Sequence, residues 1–326
     1  METLTEEQRR GVATEPERAG PAERRRSQPV ALLAAMRPPE WIKNVLVFAG
    51  LLFSQKLSHG PQVVDALITF VAFCAISSAG YLANDLRDAP LDRRHSEKRR
   101  RPIASRELSE PLAGVAAIVL AAIAIGISFA WVSASVAGLV GLYGVTTIAY
   151  SLILKRLVII DVMTIASLFI IRVVAGAVAV EAHASEWLLL CTAMLALFLG
   201  FTKRRQEAMQ EMEAVPVATS ASTPGSAITR PVLEHYSLPF LDQVVAMVTA
   251  GAIISYAIYA VNSPLIGSKM LATGPSVLYG IFRYLYLIYD RQDTRSTAAI
   301  LTEDPGMIFA GVSWIGVALV MLYVVD

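Results

Sequence analysis

Charged residues are scarce in this 326-residue chain: they make up 17% of it, whereas 55% is hydrophobic. Soluble domains average about 25% charged residues. With a mean hydropathy of +0.54, the chain has more apolar side chain than one soluble core could bury. Lys and Arg (28) nearly balance Asp and Glu (27), which excludes a strongly basic nucleic-acid binder. Two cysteines, Cys74 and Cys191, are too few for a disulfide framework or a zinc pattern.

Several signatures of soluble enzymes are also missing from the sequence. It has no P-loop, no dinucleotide-binding glycine motif after a strand and no Gly-x-Ser-x-Gly, so nucleotide hydrolysis and serine-type acyl transfer have no support. The four histidines are scattered and form no metal set. The N-terminus lacks the short apolar stretch of a signal peptide.

Long apolar runs dominate the rest of the chain. A membrane-spanning helix needs roughly 20 mostly apolar residues. We predict nine such spans, at residues 41–57, 62–84, 111–130, 132–151, 159–180, 186–202, 242–262, 274–290 and 307–325. Buried helices of a soluble protein are the alternative for any single run, but nine runs favour a bilayer. The expected fold class is an all-α membrane protein.

The basic residues predict the topology. Most of them lie before span one or in the loops after the even-numbered spans, and only Lys56 and Lys269 lie in the odd-numbered loops. The positive-inside rule therefore places the N-terminus in the cytoplasm and, with nine spans, the C-terminus outside. We predict a disordered cytoplasmic arm at 1–30, a polytopic domain at 31–326 and a flexible cytoplasmic loop at 214–229.

An acidic row ends span two. Asn84, Asp88 and Asp92 are spaced i, i+4 and i+8, so they share one face if the helix continues past Pro90. Three oxygen ligands in a row suit Mg²⁺ shared with a diphosphate. We predict Asn84, Asp88 and Asp92 as metal ligands, and count Asp85 with Asp88 and Asp92 as catalytic. The alternative is a solvated end of an apolar helix.

Cations near the same predicted side are candidates for binding phosphate. They are Lys43, Arg93, Lys98, Arg101, Lys155, Arg172, Lys203 and Arg204, and we add Asp161 to this substrate-binding set. Charged groups within or beside spans are costly and mark functional sites by default. Each also has a simpler interpretation as an interfacial anchor, a topology signal, a lipid head-group contact or a structural ion pair.

The motifs resemble those of the UbiA-type membrane prenyltransferase superfamily. Polytopic helices with Asn84-Asp85-x-x-Asp88-x-x-x-Asp92 after span two carry the resemblance, which covers about residues 35–325. A closer resemblance, to the branch of decaprenyl-phosphate phosphoribosyltransferases, lies in these stretches: Arg37-Pro38-x-x-Trp41-x-Lys43-Asn44, Tyr81-Leu82-x-Asn84-Asp85, Asp92-Arg93, Arg101-Pro102-Ile103-Ala104, Arg172 with Ala175-Gly176, and Lys203-Arg204 with Glu207.

This resemblance implies the fold and the activity. It implies nine transmembrane helices around a central cavity open to the cytoplasmic side of a bacterial-type plasma membrane. The implied reaction is Mg²⁺-dependent transfer of 5-phosphoribosyl from phosphoribosyl diphosphate to a polyprenyl phosphate. The expected partners are these two substrates and membrane lipid, with no nucleic acid, and a homo-oligomer is left open.

The sequence also departs from the superfamily pattern. Prenyl-transferring branches carry a second Asp-rich motif after span six, where this chain has Lys203-Arg204-Arg205-Gln206-Glu207. Cations there suit a donor with an additional phosphate on its sugar. Ser96 replaces an expected proline, and the loop 214–229 is long, so the acceptor's chain length stays open. Two rivals remain: an isoprenyl diphosphate:aromatic acceptor prenyltransferase, and a transporter or lipid-binding membrane component.

Overall fold

The computed structural model describes residues 26–94, 98–214, 236–263 and 267–324. Every regular element in these ranges is helical. The α-helices are α1 (Gln28–Ala35), α2 (Ala49–Leu52), α3 (Gly60–Asp92), α4 (Glu110–Trp131), α5 (Ala134–Leu152), α6 (Ile160–Ala179), α7 (Glu186–Ala214), α8 (Leu238–Val261), α9 (Gly274–Tyr289), α10 (Thr297–Glu303) and α11 (Pro305–Tyr323). The 3₁₀ helices are Pro38–Phe48, Lys98–Arg100, Leu154–Arg156 and Gly267–Thr273.

Seven helices of the described chain are long and apolar enough to cross a membrane, namely α3, α4, α5, α6, α7, α8 and α11. They coincide with seven of the nine predicted spans. The helices agree with the expected all-α architecture, and the chain is an integral membrane protein.

The other two predicted spans are shorter helical segments. Span 41–57 is a 3₁₀ helix, Pro38–Phe48, followed by the single turn of α2. Span 274–290 is α9, whose 16 residues measure about 24 Å against a hydrocarbon core of about 30 Å. Nine crossings therefore stay a prediction.

The charged residues gather at one end of the bundle. Lys155, after α5, contacts Asp88 near the end of α3. Arg204 of α7 contacts Asp161 at the start of α6. At the other end, Lys56 donates to the carbonyl groups of Val180 and Glu181. We call the end that carries the Lys155–Asp88 and Arg204–Asp161 pairs the charged end. The structure agrees with the predicted separation of charge between the two ends.

Helix α3 is too long for the bilayer, and this length matters for the charged end. Its 33 residues span about 50 Å, well beyond the hydrocarbon thickness. The helix also continues through Pro90, so its last turns, with residues 84–92, extend past its apolar part. The predicted acidic row therefore lies on continuous helix.

Helix α6 and the segment 38–52 pack backbone against backbone. A Cβ at Gly176 would collide with the carbonyl oxygen of Val47, and a Cβ at Gly50 would lie 2.6 Å from the Cα of Ala177. Only glycine allows this approach. The close contact places Asn44 beside Arg172.

Two predicted boundaries fall near the limits of the described chain. Helix α1 begins at Gln28, inside the range predicted as a disordered arm, and residues 1–25 lie outside the described residues. Ala214 ends α7, and the rest of the predicted loop 214–229 also lies outside them.

Candidate active site

The acidic row occupies one face of the last two turns of α3. Asn84 and Asp88 are half-buried, and Asp92 is buried. Because the helix is unbroken at Pro90, the three side chains follow one another at one-turn intervals. The spacing predicted from the sequence is present in the structure.

Asp85 is buried next to this row and paired with two arginines. Arg37 donates to both of its carboxylate oxygens, at 2.7 and 2.9 Å. Arg101 donates to Asp85 at 3.2 Å and to Asp92 at 2.8 Å. Arg101 therefore links two carboxylates that lie seven residues apart on α3, and ties the segment after this helix to its charged end.

Arg37 belongs to the site although the sequence assigned it no role there. Its backbone is left-handed, with φ at 56°, immediately before Pro38. Such conformations are unfavourable for non-glycine residues and persist where surrounding contacts hold them. Here the contacts are with Asp85 and with the ring of Tyr81, 5.1 Å from the guanidinium carbon. An arginine directly before Pro38-Pro39 at the start of an apolar run was the available signal.

Asp88 pairs with a lysine from a different part of the chain. The Nζ of Lys155 lies 3.2 Å from a carboxylate oxygen of Asp88, and about a quarter of each side chain is exposed. The structure thus brings together two residues of the predicted site that are 67 positions apart. Their partial exposure leaves both accessible to a ligand.

Asp161 and Arg204 form a buried network. Their side chains are 0% and 2% exposed, and the Nε of Arg204 lies 2.7 Å from Asp161. Arg204 also contacts Glu207 and donates to the hydroxyl of Tyr150 at 3.1 Å. The donors of Arg204 are directed at protein groups, so this residue, predicted as a candidate for binding phosphate, is a member of a buried ion-pair network in the structure.

Tyr236 completes this network just before α8. Its hydroxyl donates to Asp161 at 2.9 Å and accepts from the backbone N–H of Ile159 at 2.6 Å. Burial, and secondarily the charge of Asp161, raises the pKa of the Tyr236 phenol well above its usual value. The phenol therefore stays protonated and keeps donating. Tyr236 was not among the predicted site residues, because a tyrosine at a span boundary is usually an interfacial residue.

Arg172 lies in a second, separate network. Its guanidinium donates to the Oδ1 of Asn44 at 2.8 Å, to the hydroxyl of Tyr143 at 2.6 Å and to the carbonyl of Leu168 at 3.1 Å. It is 4% exposed, and among the described residues its partners are uncharged. Arg172 and Asp161 were both predicted as substrate-binding residues and lie on the same helix, α6; in the structure they join different networks, because about 16 Å of helix separates them.

The remaining predicted residues differ in their surroundings. Lys203 donates to the Oε1 of Gln206 at 3.3 Å. Lys43 pairs with Glu40 at 2.5 Å, and Arg93 pairs with Glu110 at 2.5 Å, away from the acidic row. Lys98 begins a short 3₁₀ helix and is half-buried. The structure thus connects Arg101 and Lys155 directly to the row, and connects Arg93 to α4 instead.

The acidic row suits a divalent cation in its chemistry. Asn84, Asp88 and Asp92 offer one amide and two carboxylate oxygens, the hard ligands that Mg²⁺ prefers. Within the described ranges no three His, Cys, Asp or Glu side chains are grouped to hold a metal by themselves. Mg²⁺ commonly uses one or two carboxylates and completes its shell with water and substrate phosphate, and this row provides such a partial set.

Known proteins similar to this chain agree with the fold and the family. Residues 44–310 match the family model described as "UbiA prenyltransferase family". The chain is 33% identical over 256 residues to the "Decaprenyl-phosphate phosphoribosyltransferase" of Corynebacterium glutamicum, covering 76% of this chain and 74% of that protein. It is 33% identical over 233 residues to the protein of the same name from Mycolicibacterium smegmatis, covering 70% of each.

A solved structure shares the fold. It is a UbiA homologue from Archaeoglobus fulgidus bound to GPP and Mg²⁺, with a TM-score of 0.67 at 17% sequence identity, covering 90% of this chain and all of that one. At that identity the similarity concerns the fold alone. The family match extends over most of the chain and the two curated relatives cover at least two thirds of it. The chain therefore belongs to the UbiA prenyltransferase family.

Proposed function

We propose that this chain transfers a 5-phosphoribosyl group from phosphoribosyl diphosphate to a polyprenyl phosphate and releases diphosphate. The observation that carries the proposal is the charged end, where cations from other segments face the acidic end of α3. Lys155 forms an ion pair with Asp88, and Arg101 forms one with Asp92. The names of the two curated relatives support the same reaction.

Asn84 and Asp88, with Asp92, are the residues that would hold Mg²⁺. When bound, Mg²⁺ supplies positive charge that offsets the charge developing on a diphosphate leaving group. Lys155 and Arg101, which pair with Asp88 and Asp92, would then be available to the phosphate groups of the substrate. The ion pairs at Asp88 and Asp92 thus keep the acidic row compensated when no substrate is bound.

The protein's main task in this reaction is to bring two polyanions together. An oxygen of the lipid phosphate forms a bond to C1 of the ribose. The bond from C1 to the diphosphate oxygen breaks, and its electron pair leaves with diphosphate. The attacking oxygen is already anionic, so no strong general base is required. Lys43, Lys155 and Lys203 are point charges for phosphate, and Arg101 offers a planar fork.

Ion pairs and hydrogen bonds of nearby arginines position these groups. Asp85 binds both Arg37 and Arg101, and the Asp161–Arg204 pair fixes the part of α7 on which Lys203 lies. We assign Arg204 and Asp161 a positioning role and Lys203 the contact with the donor. Arg172 holds Asn44, and through it the segment 38–48 that carries Lys43. Arg93 and Lys98 stay candidates for phosphate contact at the rim.

The test uses purified protein in detergent with radiolabelled phosphoribosyl diphosphate, decaprenyl phosphate and Mg²⁺. We expect label to move into the organic phase, and we expect EDTA to stop this movement and excess Mg²⁺ to restore it. A reaction without acceptor controls for hydrolysis of the donor.

The opposite result has a clear meaning. If no label transfers, and the protein instead joins an isoprenyl diphosphate to an aromatic acid, the proposal is wrong and the aromatic prenyltransferase alternative replaces it. If neither reaction occurs with any acceptor, the transporter or lipid-binding alternative gains support.

A further inference from the structure

Gln206 is buried on α7 although its side chain ends in a polar amide. The residue is 6% exposed, and it lies three positions after Lys203, so the two side chains are neighbours on the surface of the helix. A buried amide has to make its hydrogen bonds within the protein. The partners of Gln206 therefore indicate the role of this residue.

Both polar atoms of the Gln206 amide form hydrogen bonds. The Nε2 atom donates to the backbone carbonyl groups of Asp293 and Arg295, which lie in the turn between α9 and α10. Because two carbonyl oxygens face this side of the amide, the Oε1 atom has to point the other way. There it accepts a hydrogen bond from the Nζ of Lys203 at 3.3 Å. Gln206 thus joins Lys203 to a distant part of the chain.

The turn that Gln206 contacts is held by its own hydrogen bonds. The backbone N–H of Asp293 donates to the carbonyl of Leu287 on α9 at 3.0 Å. The Asp293 carboxylate accepts from the backbone N–H of Arg295 at 3.0 Å and from its guanidinium at 2.6 Å. These bonds from Arg295 hold the pKa of Asp293 below its usual range, so the carboxylate stays ionised and paired. The two carbonyl groups that bind Gln206 therefore have fixed positions.

The same part of the chain continues to a second lysine of the proposed site. Helix α10 follows the turn and packs against the 3₁₀ helix Pro38–Phe48, which carries Lys43. Arg37, directly before that 3₁₀ helix, binds Asp85 next to the acidic row. The turn and α10 thus connect α7 at Lys203 with the segment that reaches the acidic end of α3. The placement of Lys203 relative to that segment depends on this connection.

We propose that Gln206 is a positioning residue for Lys203, and that it uses the α9–α10 turn to keep the lysine Nζ where it contacts the donor. This proposal rests on the proposed function, which gives Lys203 the contact with phosphoribosyl diphosphate. The amide is neutral, so its hydrogen bond orients the ammonium group and itself cancels none of the charge. A lysine that is oriented in advance loses less rotamer freedom when phosphate binds. Gln206 acts through Lys203 and does not touch the substrate.

Gln206→Met tests this role, because methionine is about as long as glutamine but makes no strong hydrogen bond. With Lys203 no longer oriented, we expect the KM for phosphoribosyl diphosphate to rise about two- to ten-fold, which corresponds to the loss of one hydrogen bond. The KM for decaprenyl phosphate should stay unchanged. Gln210→Met is the matched control, since it makes the same substitution one turn later on α7 and should leave both KM values unchanged.

A double-mutant cycle separates positioning from a merely structural role. In the Lys203→Ala background, Gln206→Met should change the donor KM by less than about two-fold, because the lysine through which it acts is gone. If Gln206 only supports the fold, the two effects on the donor KM multiply. Melting temperatures are recorded for all four proteins of the cycle. Asp293→Ala, which loosens the turn and leaves α7 unchanged, takes the place of Gln206→Met if that variant does not fold.

Donor binding in the absence of acceptor distinguishes this proposal from the proposed function. Titration calorimetry measures the binding of phosphoribosyl diphosphate with Mg²⁺ to the full chain in detergent, and we expect Gln206→Met to raise the Kd. A wild-type chain that binds no phosphoribosyl diphosphate would overturn the proposed function and this proposal with it. Normal binding by the wild type, combined with an unchanged donor KM in Gln206→Met, an equal effect of Gln210→Met or multiplying effects in the cycle, would overturn the role of Gln206 alone.

Discussion

Asp88 differs from the neighbouring carboxylates of α3 in its exposure. Its side chain is 25% exposed, against 3% for Asp85 and 6% for Asp92. Asp85 is bound by two arginines, whereas Asp88 has a single lysine at 3.2 Å. Among these three acids, Asp88 is therefore the one that the proposed metal–diphosphate complex would reach with the least rearrangement.

We predict that Asp88→Ala abolishes phosphoribosyl transfer while the protein still inserts and folds. The substitution removes a proposed Mg²⁺ ligand but leaves only the partly exposed Lys155 without its partner. Transfer is measured with the radiolabelled donor, and folding by size-exclusion chromatography. Asp290→Ala, at an exposed aspartate after α9, is the control and should retain activity. Normal turnover in purified Asp88→Ala would remove Asp88 from the metal site.

Lys203→Ala should raise the KM for phosphoribosyl diphosphate about ten-fold or more with little change in the melting temperature. Loss of one charge-assisted contact to phosphate is worth about 1.5–3 kcal/mol, whereas a half-buried lysine contributes little to folding. The measurement is a donor titration at saturating acceptor. An unchanged titration would show that Lys203 does not contact the donor.

The adjacent residue should behave in the opposite way. Arg204→Ala leaves Asp161 buried without its partner, which costs about 3–5 kcal/mol of unfolding free energy. Arg205→Ala is the comparison: it leaves Asp242, which is 45% exposed, in contact with water, so we expect a smaller loss of unfolding free energy than in Arg204→Ala. Thermal unfolding in detergent distinguishes the two variants. Equal melting temperatures would contradict the positioning role of Arg204.

At the scale of elements, the contact between α6 and the segment 38–52 sets the geometry around Lys43 and Asn44. We predict that Gly176→Ala lowers both the melting temperature and activity, because the added methyl group collides with the carbonyl of Val47. Gly141→Ala, in open space on α5, should change stability by no more than about 1 kcal/mol and in the favourable direction. Wild-type behaviour of Gly176→Ala would show that the two elements can move apart freely.

At the scale of the whole molecule, charge separation between the two ends predicts the orientation in the membrane. A membrane-impermeant maleimide added to intact cells should label Ser58→Cys, in the loop before α3, and leave Arg106→Cys unlabelled until the membrane is opened. The wild-type chain, with only Cys74 and Cys191, provides the background. Labelling of Arg106→Cys in intact cells would invert the predicted topology.

Much of this molecule follows from its sequence alone. Apolar runs determine the seven long helices, because a backbone in hydrocarbon must satisfy its own hydrogen bonds. The four-residue spacing of Asn84, Asp88 and Asp92 determines their shared face on α3. The distribution of Lys and Arg indicates which loops lie at the same end of the helical bundle. Each of these properties is local or additive along the chain, so it can be read without knowing the packing.

Tertiary structure decided how the charges are paired. Arg204 and Lys203 are neighbours in a basic run, yet one is buried against Asp161 and the other is half-buried beside Gln206. Asp161 and Arg172 are on the same helix but join networks with different partners. The pairing of a charge depends on which side chains from distant segments reach it and on how much water is excluded there. Only the packing of the helices determines which side chains reach a charge and how much water is excluded around it.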